Sequence, residues 1–318
     1  MFSTKEVRGV TGTTGSSVLS RAPRPRKETD SASTGGIHWR PRGTLQWIGA
    51  VLVFLFIVAW AALSLLPMAW MFTSAFTPSS ALVKMPPQVS VRNLSLVNFK
   101  SLLKKAPLLP RWFLNTALIA SVATVANLIF DTLAGYAFAK MDFPGRDIIF
   151  WAILSTMMIP SQVTLVPMFL LVNKLKWYDS YAAILVPGMC QTFGIFMMKQ
   201  FIQTLPADME DAARVDGCSE IGIWWRIILP LCKPGMAVLG ISVFMGQWKS
   251  FLWPLIVLKT ERKFLLEQGL TTLQQQFFTD YGLLMSGAAL AAIPMIIVFF
   301  FFQRYLIEGF TVGDVLKG

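Results

Sequence analysis

The chain has 318 residues, 54% of them hydrophobic and only 14% charged, a balance that excludes a soluble enzyme and points to a membrane-embedded protein. The formal net charge of +11 would suggest nucleic acid in a soluble protein, but much of the surplus sits in an N-terminal tail and in loops between apolar runs, so membrane lipid is the expected partner and nucleic acid is not. One histidine, His38, and three scattered cysteines, Cys190, Cys218 and Cys232, make neither a zinc cluster nor a disulfide framework, so no metal site is expected.

Residues 1–43 are rich in Ser, Thr, Gly, Pro and Arg and lack apolar periodicity, so they read as a disordered basic tail on the cytoplasmic side. Glu6, Glu28 and Asp30 argue against an organelle transit peptide. Residues 44–318 read as one transmembrane domain. Residues 43–83 carry no charge, and their apolar centre, residues 45–71, exceeds the roughly 20 residues that cross a ~30 Å hydrocarbon layer. The run also outlasts a signal-peptide core, so span one is expected to stay attached as an anchor.

An outer segment follows at residues 73–111, with Pro78, Pro86, Pro87 and a basic helix-like piece near Lys100, Lys104 and Lys105. Span two is predicted over residues 112–139, where Gly135 and Ala139, four apart, suit close helix packing. Spans three to six are predicted at residues 148–172, 181–202, 235–258 and 281–305. The fold class is therefore all-α, a polytopic membrane protein of six crossings with both termini on one side. The basic flank before span one makes that side the cytoplasm.

Between spans four and five lies a long polar insertion, residues 205–234. Pro206 suits a first helical turn, and Asp208, Glu210 and Asp211 favour its positive end. Asp216-Gly217 forms a turn, because glycine takes positive φ at no steric cost, and Ser219 caps a second helix. Ile221, Trp224, Trp225, Ile228 and Leu229 fall on one face of that helix until Pro230 and Pro234 stop it. Ala212 and Ala213 remove bulk and let another backbone approach, so the loop has the form of a docking knob.

Asp211, Ala212, Ala213, Gly217, Ile227, Leu229 and Pro230 fill every position of a pattern that resembles the EAA loop of inner-membrane permeases of binding-protein-dependent ABC importers. Asp211 replaces the usual Glu, with Glu210 beside it. The run Leu133 to Lys140, reading LAGYAFAK, resembles a segment of carbohydrate-type permeases. Gln247 to Leu255, reading QWKSFLWPL, resembles a segment of the maltose-type importers, except that Lys249 and Ser250 stand where Asn and an acid are usual. The Gly-rich terminus from Glu308 to Gly318 is similar as well.

This resemblance implies a permease subunit of a bacterial inner membrane that forms half of a path for a sugar or oligosaccharide. It implies as partners a second related permease, two ATPase subunits that hold ATP and Mg, and an extracytoplasmic solute-binding protein, with no cofactor on this chain. Glu210, Asp211, Ala212, Ala213, Asp216, Gly217, Leu229 and Pro230 would then couple to the ATPase. A glycerol-phosphate-type solute is the alternative cargo, and a gradient-driven carrier or a membrane-bound enzyme are the competing classes. The chain has no Gly-Lys pair, hence no phosphate-cradling P-loop, and no Gly-x-Ser-x-Gly or His-Glu-x-x-His. It is not expected to be an enzyme.

Pro254 is expected to break span five where it lines a cavity. Gln247, Trp248, Lys249, Phe251 and Trp253 are candidates for the path, although aromatic residues in spans more often pack or anchor. Asp131 in span two and Lys249 in span five are ionisable groups inside spans. Straight helices would put both near the midplane, which leaves two readings of equal weight: they pair, or Lys249 faces a polar or anionic solute.

Overall fold

A computed structural model describes residues 44–82, 84, 94–276 and 280–315, with side chains placed for 47–82, 84, 94–273, 280–303. The tail, part of the outer segment and the chemistry of the C-terminal run lie outside those residues. The chain divides into two compact units, Met1–Val58 and Ala59–Gly318. Of the first, the described part is the beginning of helix α1, Thr44–Ala75, whose residues from Trp47 to Val58 are all exposed.

The second unit is all-helical among the described residues, with no strand. After α1 come two short helices, α2 (Ser79–Leu82) and α3 (Val97–Lys105), then α4 (Leu109–Lys140). Next are α5 (Arg146–Ser155), α6 (Ser161–Lys174), α7 (Ala182–Leu185) and α8 (Thr192–Gln203). The insertion holds α9 (Asp208–Val215), α10 (Glu220–Ile223) and α11 (Leu229–Leu231). The chain continues in α12 (Lys233–Trp248), α13 (Leu252–Val257), α14 (Leu266–Gln276) and α15 (Tyr281–Val315).

Four stretches among the described residues are long and apolar enough to cross a membrane: Trp47–Ala75, Leu109–Lys140, Ala182–Gln203 and Tyr281–Gln303. The number rises to six when each of two bent pairs is one span, Arg146–Met158 with Ser161–Lys174 (bent by 104°) and Glu220–Leu231 with Lys233–Trp248 (83°). The first bend falls at Ile159-Pro160, where the proline ring pushes the preceding residue out of helical geometry.

Two expected boundaries change. Span five does not run on to residue 258: α12 ends at Trp248 and the chain restarts as α13 after Lys249-Ser250-Phe251. Pro254 thereby falls in the first turn of α13, where its missing N–H costs nothing, so the break it forces lies several residues upstream of it. Likewise Pro230 does not stop the second helix of the insertion. A wide π turn at Trp224–Ile228 absorbs the proline, which cannot bond back to Arg226, and the chain bends only at Cys232.

The core forms around α4, which packs against α8 and α12, with α14 and α15 joining the core at the N-terminal half of α4. A Cβ at Gly135 would stand 2.8 Å from Met198 Cβ and 2.9 Å from the Lys199 amide, so α4 and α8 touch backbone to backbone as the small-residue spacing predicts. Tyr136, Met198, Ile202, Ile223, Trp224 and Ile228 join the insertion to this core. At the other end of α4, Trp112 Nε1 donates to the Glu261 carbonyl (2.7 Å) and Asn115 Nδ2 to those of Arg262 and Phe264 (3.0 Å each). Nearby, Asp179 ties two turns together: it accepts from the Lys259 amide (2.9 Å), the Thr260 amide (3.0 Å) and the Thr260 hydroxyl (2.7 Å), and pairs with Lys263 (3.0 Å). Burial alone would raise its carboxyl, but the Thr260, Lys259 and Lys263 donors outweigh that and hold it well below the usual carboxylate range.

Candidate functional site

The insertion is a helical hairpin built by local signals. Asp208, Glu210 and Asp211 occupy the first turn of α9, facing its positive end. The helix closes on Gly217 (φ 79°) in a Schellman arrangement, with the Cys218 amide on the Ala213 carbonyl and the Gly217 amide on that of Arg214, both at 3.0 Å. Ser219 Oγ then accepts from the Gly222 amide (3.3 Å) to start α10.

What fixes the hairpin to the membrane core is a set of charges. Glu210 turns inward: its side chain is 2% exposed, 2.9 Å from Lys140 Nζ at the end of α4 and 3.8 Å from Arg214. Lys140 aims its hydrogen bond at the Leu205 carbonyl (2.7 Å), so Glu210 Oε1 has an ion-pair contact without an aligned hydrogen bond. One turn earlier on α4, the Tyr136 hydroxyl donates to Glu220 (2.6 Å). Arg214 joins the two halves through Glu220 (2.9 Å) and Asp211 (3.0 Å), and those hydrogen bonds outweigh partial burial to hold its guanidinium charged even more firmly than usual. Both arms of the hairpin are therefore fastened to α4.

The opposite side of the hairpin is left without cover by its own chain. Val215 is 88% exposed, Ile221 71% and Trp225 57%, with Met209 and Ala212 also outward. This corrects the expected face. Ile223, Trp224 and Ile228 are the residues buried in the core, a stripe next to the expected one, while Ile221 and Trp225 point away from it. Ala213 is buried too, so of the two alanines Ala212 alone is available to another chain.

Farther along, a cleft of about 480 Å³ lies between α6, the break in span four and the break after α12. Ser161, Gln162, Thr164, Gly188, Gln247, Ser250, Phe251 and Trp253 line it. Hydroxyl and amide groups beside an aromatic ring form a surface able to hydrogen-bond a polyol and stack on it.

A protein-family model described as "Binding-protein-dependent transport system inner membrane component" matches residues 107–312. The chain belongs to this family. The permease is 36% identical over 273 residues to "Arabinooligosaccharides transport system permease protein AraQ" of Halalkalibacterium halodurans, covering 85% of this chain and 96% of the relative. It is 30% identical over 249 residues to "Lactose transport system permease protein LacG" of Rhizobium radiobacter, covering 78% and 90%. Its fold matches a chain from the crystal structure of a bacterial ABC transporter involved in the import of the acidic polysaccharide alginate, with TM-score 0.75, 22% identity, and 83% and 98% of the two chains covered.

Of the residues that sequence singles out for the path, Gln247, Phe251 and Trp253 meet in the cleft. Trp248 does not: it is 2% exposed, donates from Nε1 to the Ala291 carbonyl (3.0 Å) and packs on Phe113 and Phe244, so it is core. Lys249 lines a separate cavity of about 470 Å³ with Glu267, Thr271 and apolar residues of α15, and burial raises the Glu267 carboxyl above its usual range. The pairing of Asp131 with Lys249 is excluded in this structure. Trp248 meets Phe113 edge-on, and Phe113 is 18 residues from Asp131 on α4, an axial separation of about 27 Å. The midplane estimate fails because α12 ends at Trp248, which puts Lys249 near the level of the N-terminal end of α4.

Sequence reading missed Tyr136 and Lys140 as anchors, although their i,i+4 spacing inside the LAGYAFAK run puts both on one face of α4. It also missed Ser161, Gln162 and Thr164, whose signal was a polar, proline-flanked interruption in the middle of span three.

Proposed function

We propose that this permease forms half of an inward path for an oligosaccharide and that ATP hydrolysis in separate subunits drives it through the hairpin at 205–234. The observation that carries this reading is the two-sided character of that hairpin: Lys140–Glu210 and Tyr136–Glu220 fasten it to α4 while Val215, Ile221 and Trp225 stand outward. Such an apolar strip beside Asp211, Ala212, Asp216 and Gly217 suits insertion into a groove of an ATPase on the cytoplasmic side, which would also hold both termini. Leu229 and Pro230 close the knob where the π turn gives way to α11, with Pro230 exposed.

On this reading ATP and Mg reside in two ATPase copies, the chain itself holds no cofactor, a second related permease completes the path, and a solute-binding protein delivers cargo from outside. Residues 44–318 are the working domain and residues 1–43 a cytoplasmic tail near lipid. The sugar assignment follows the arabinooligosaccharide and lactose names of the relatives and the polar-aromatic lining of the cleft around Gln247, Ser250 and Phe251.

The test is reconstitution of the assembled transporter in vesicles with its binding protein, using lactose and arabinotriose as probes. Either sugar should raise ATP hydrolysis; Ile221→Asp should abolish that response while the permease still folds, and Gln247→Ala should weaken uptake about tenfold. Hydrolysis indifferent to both sugars and responsive to another solute class would overturn the cargo, and coupling intact in Ile221→Asp would overturn the hairpin's role.

A further inference from the structure

Span four is not continuous. Between α7 and α8 the chain passes through a 3₁₀ turn at Val186–Gly188, containing Pro187, and an extended Gln191, which frees backbone groups that no water can serve in a membrane interior. Two fully buried side chains one turn apart on α4 take up those groups. Asn127 Nδ2 donates to the Gly188 carbonyl (2.7 Å) and to Ala123 of its own helix (2.8 Å). Asp131 Oδ1 accepts from the Gln191 amide (2.9 Å), placing a carboxylate against the positive end of α8. The fit is tight, for a Cβ at Gly194 would lie 1.9 Å from Asp131 Oδ2.

The other side of the same break is the wall of the cleft. Pro187 and Gly188 line it, and Gln247 Nε2 approaches to 3.4 Å from where a Cβ of Gly188 would stand. Asn127 and Asp131 thus grip from behind a segment whose front faces Gln247.

We propose that Asn127 and Asp131 are positioning residues of the transport path, setting how far the broken segment at 186–191 stands from Gln247 and so the width of the cleft. The inference rests on the reading of that cleft as the path, but neither residue touches the solute. A hydrogen bond to a charged group is worth about 1.5–3 kcal/mol, a roughly 10- to 100-fold weight on one placement of the segment.

The experiment places cysteines at Gly188 and Gln247 in the full transporter, with Cys218 and Cys232 replaced by alanine and Cys190, whose thiol lies against Asp131, replaced by serine so that a hydrogen-bonding group stays there, and follows closure by a short bis-thiol-reactive reagent per assembled complex. Asp131→Ala and Gly194→Ala should each change the cross-linking rate tenfold or more. Asp131→Asn, which keeps an acceptor oxygen without the charge, should change it less than Asp131→Ala does, and Gly194→Ala combined with Asp131→Ser, which returns the space and keeps an acceptor, should recover toward the parent rate. Rates unchanged in both single variants would overturn the proposal, as would failure of the combined variant to recover. Should Asp131→Ala not assemble, Gly194→Ala and its partner-compensated form decide alone. The path reading is judged separately, by uptake in Gln247→Ala: an effect there with unaltered cross-linking sinks the positioning role only.

Discussion

Lys140→Ala removes the cation that faces a carboxylate almost without solvent. Glu210's side chain is 2% exposed and Lys140's 12%, so solvent screening does not soften the loss. Breaking a buried pair by deleting one partner costs about 3–5 kcal/mol, but Arg214 at 3.8 Å still faces Glu210, and the original contact lacks an aligned hydrogen bond. The lost bond to the Leu205 carbonyl works in the opposite direction. A net cost of about 2–4 kcal/mol follows, which shifts the docked hairpin toward release by roughly 30- to 700-fold. Hydrogen exchange of the amides of α9, in detergent or nanodisc, reads this directly, with the amides of α4 as internal control. Protection in α9 should fall by that factor while α4 stays protected. Lys140→Met combined with Glu210→Leu should restore much of it, because an apolar pair of similar volume avoids the stranded charge. Unchanged exchange in Lys140→Ala, or a double variant no better than the single, would refute the claim that this pair fastens the hairpin.

Gly217 sits at φ 79° with no atom within 4 Å of a Cβ, so substitution there is opposed by backbone conformation alone. Gly217→Val should destabilise the hairpin by about 1–2 kcal/mol and Gly217→Asn by clearly less, measured as the same exchange protection. The Asp179 lock has its own pH signature. Its folded pKa lies below the unfolded value of about 3.9, so its stabilisation is complete above that value and is lost only as pH falls through the folded one. The difference in melting temperature between the parent and Asp179→Asn should stay constant from about pH 8 to pH 5 and close below about pH 4; closure already at pH 6 would contradict the assignment.

The hairpin was legible because its boundaries are written locally: Pro206, Gly217 and Ser219 act within a few residues of themselves. Which way its charges face was not legible. Glu210 turns inward because Lys140 waits for it 70 residues upstream, and a pattern read along the chain ranks Glu210 and Asp211 alike. The close α4–α8 approach at Gly135 followed from small-residue spacing, since a missing side chain has the same meaning in any context. The depth of Lys249 did not, because it depended on α12 being straight, and the fold ends that helix at Trp248. Asp131 was found as an unusual charge, but neither of the two readings tied it to the break in span four: its Oδ1 takes the Gln191 amide, and broken backbone leaves no side-chain signature.

Helix α4 runs unbroken for 32 residues, about 48 Å, and is grasped at both extremities. Tyr136 and Lys140 hold one tip to the hairpin, while Trp112, Asn115 and Thr116 hold the other to the stretch at 261–266. A rod of that length tilted by only about 5° displaces its far tip by roughly 4 Å. A tilt imposed at one tip would therefore reach the other with no break in α4 to absorb it.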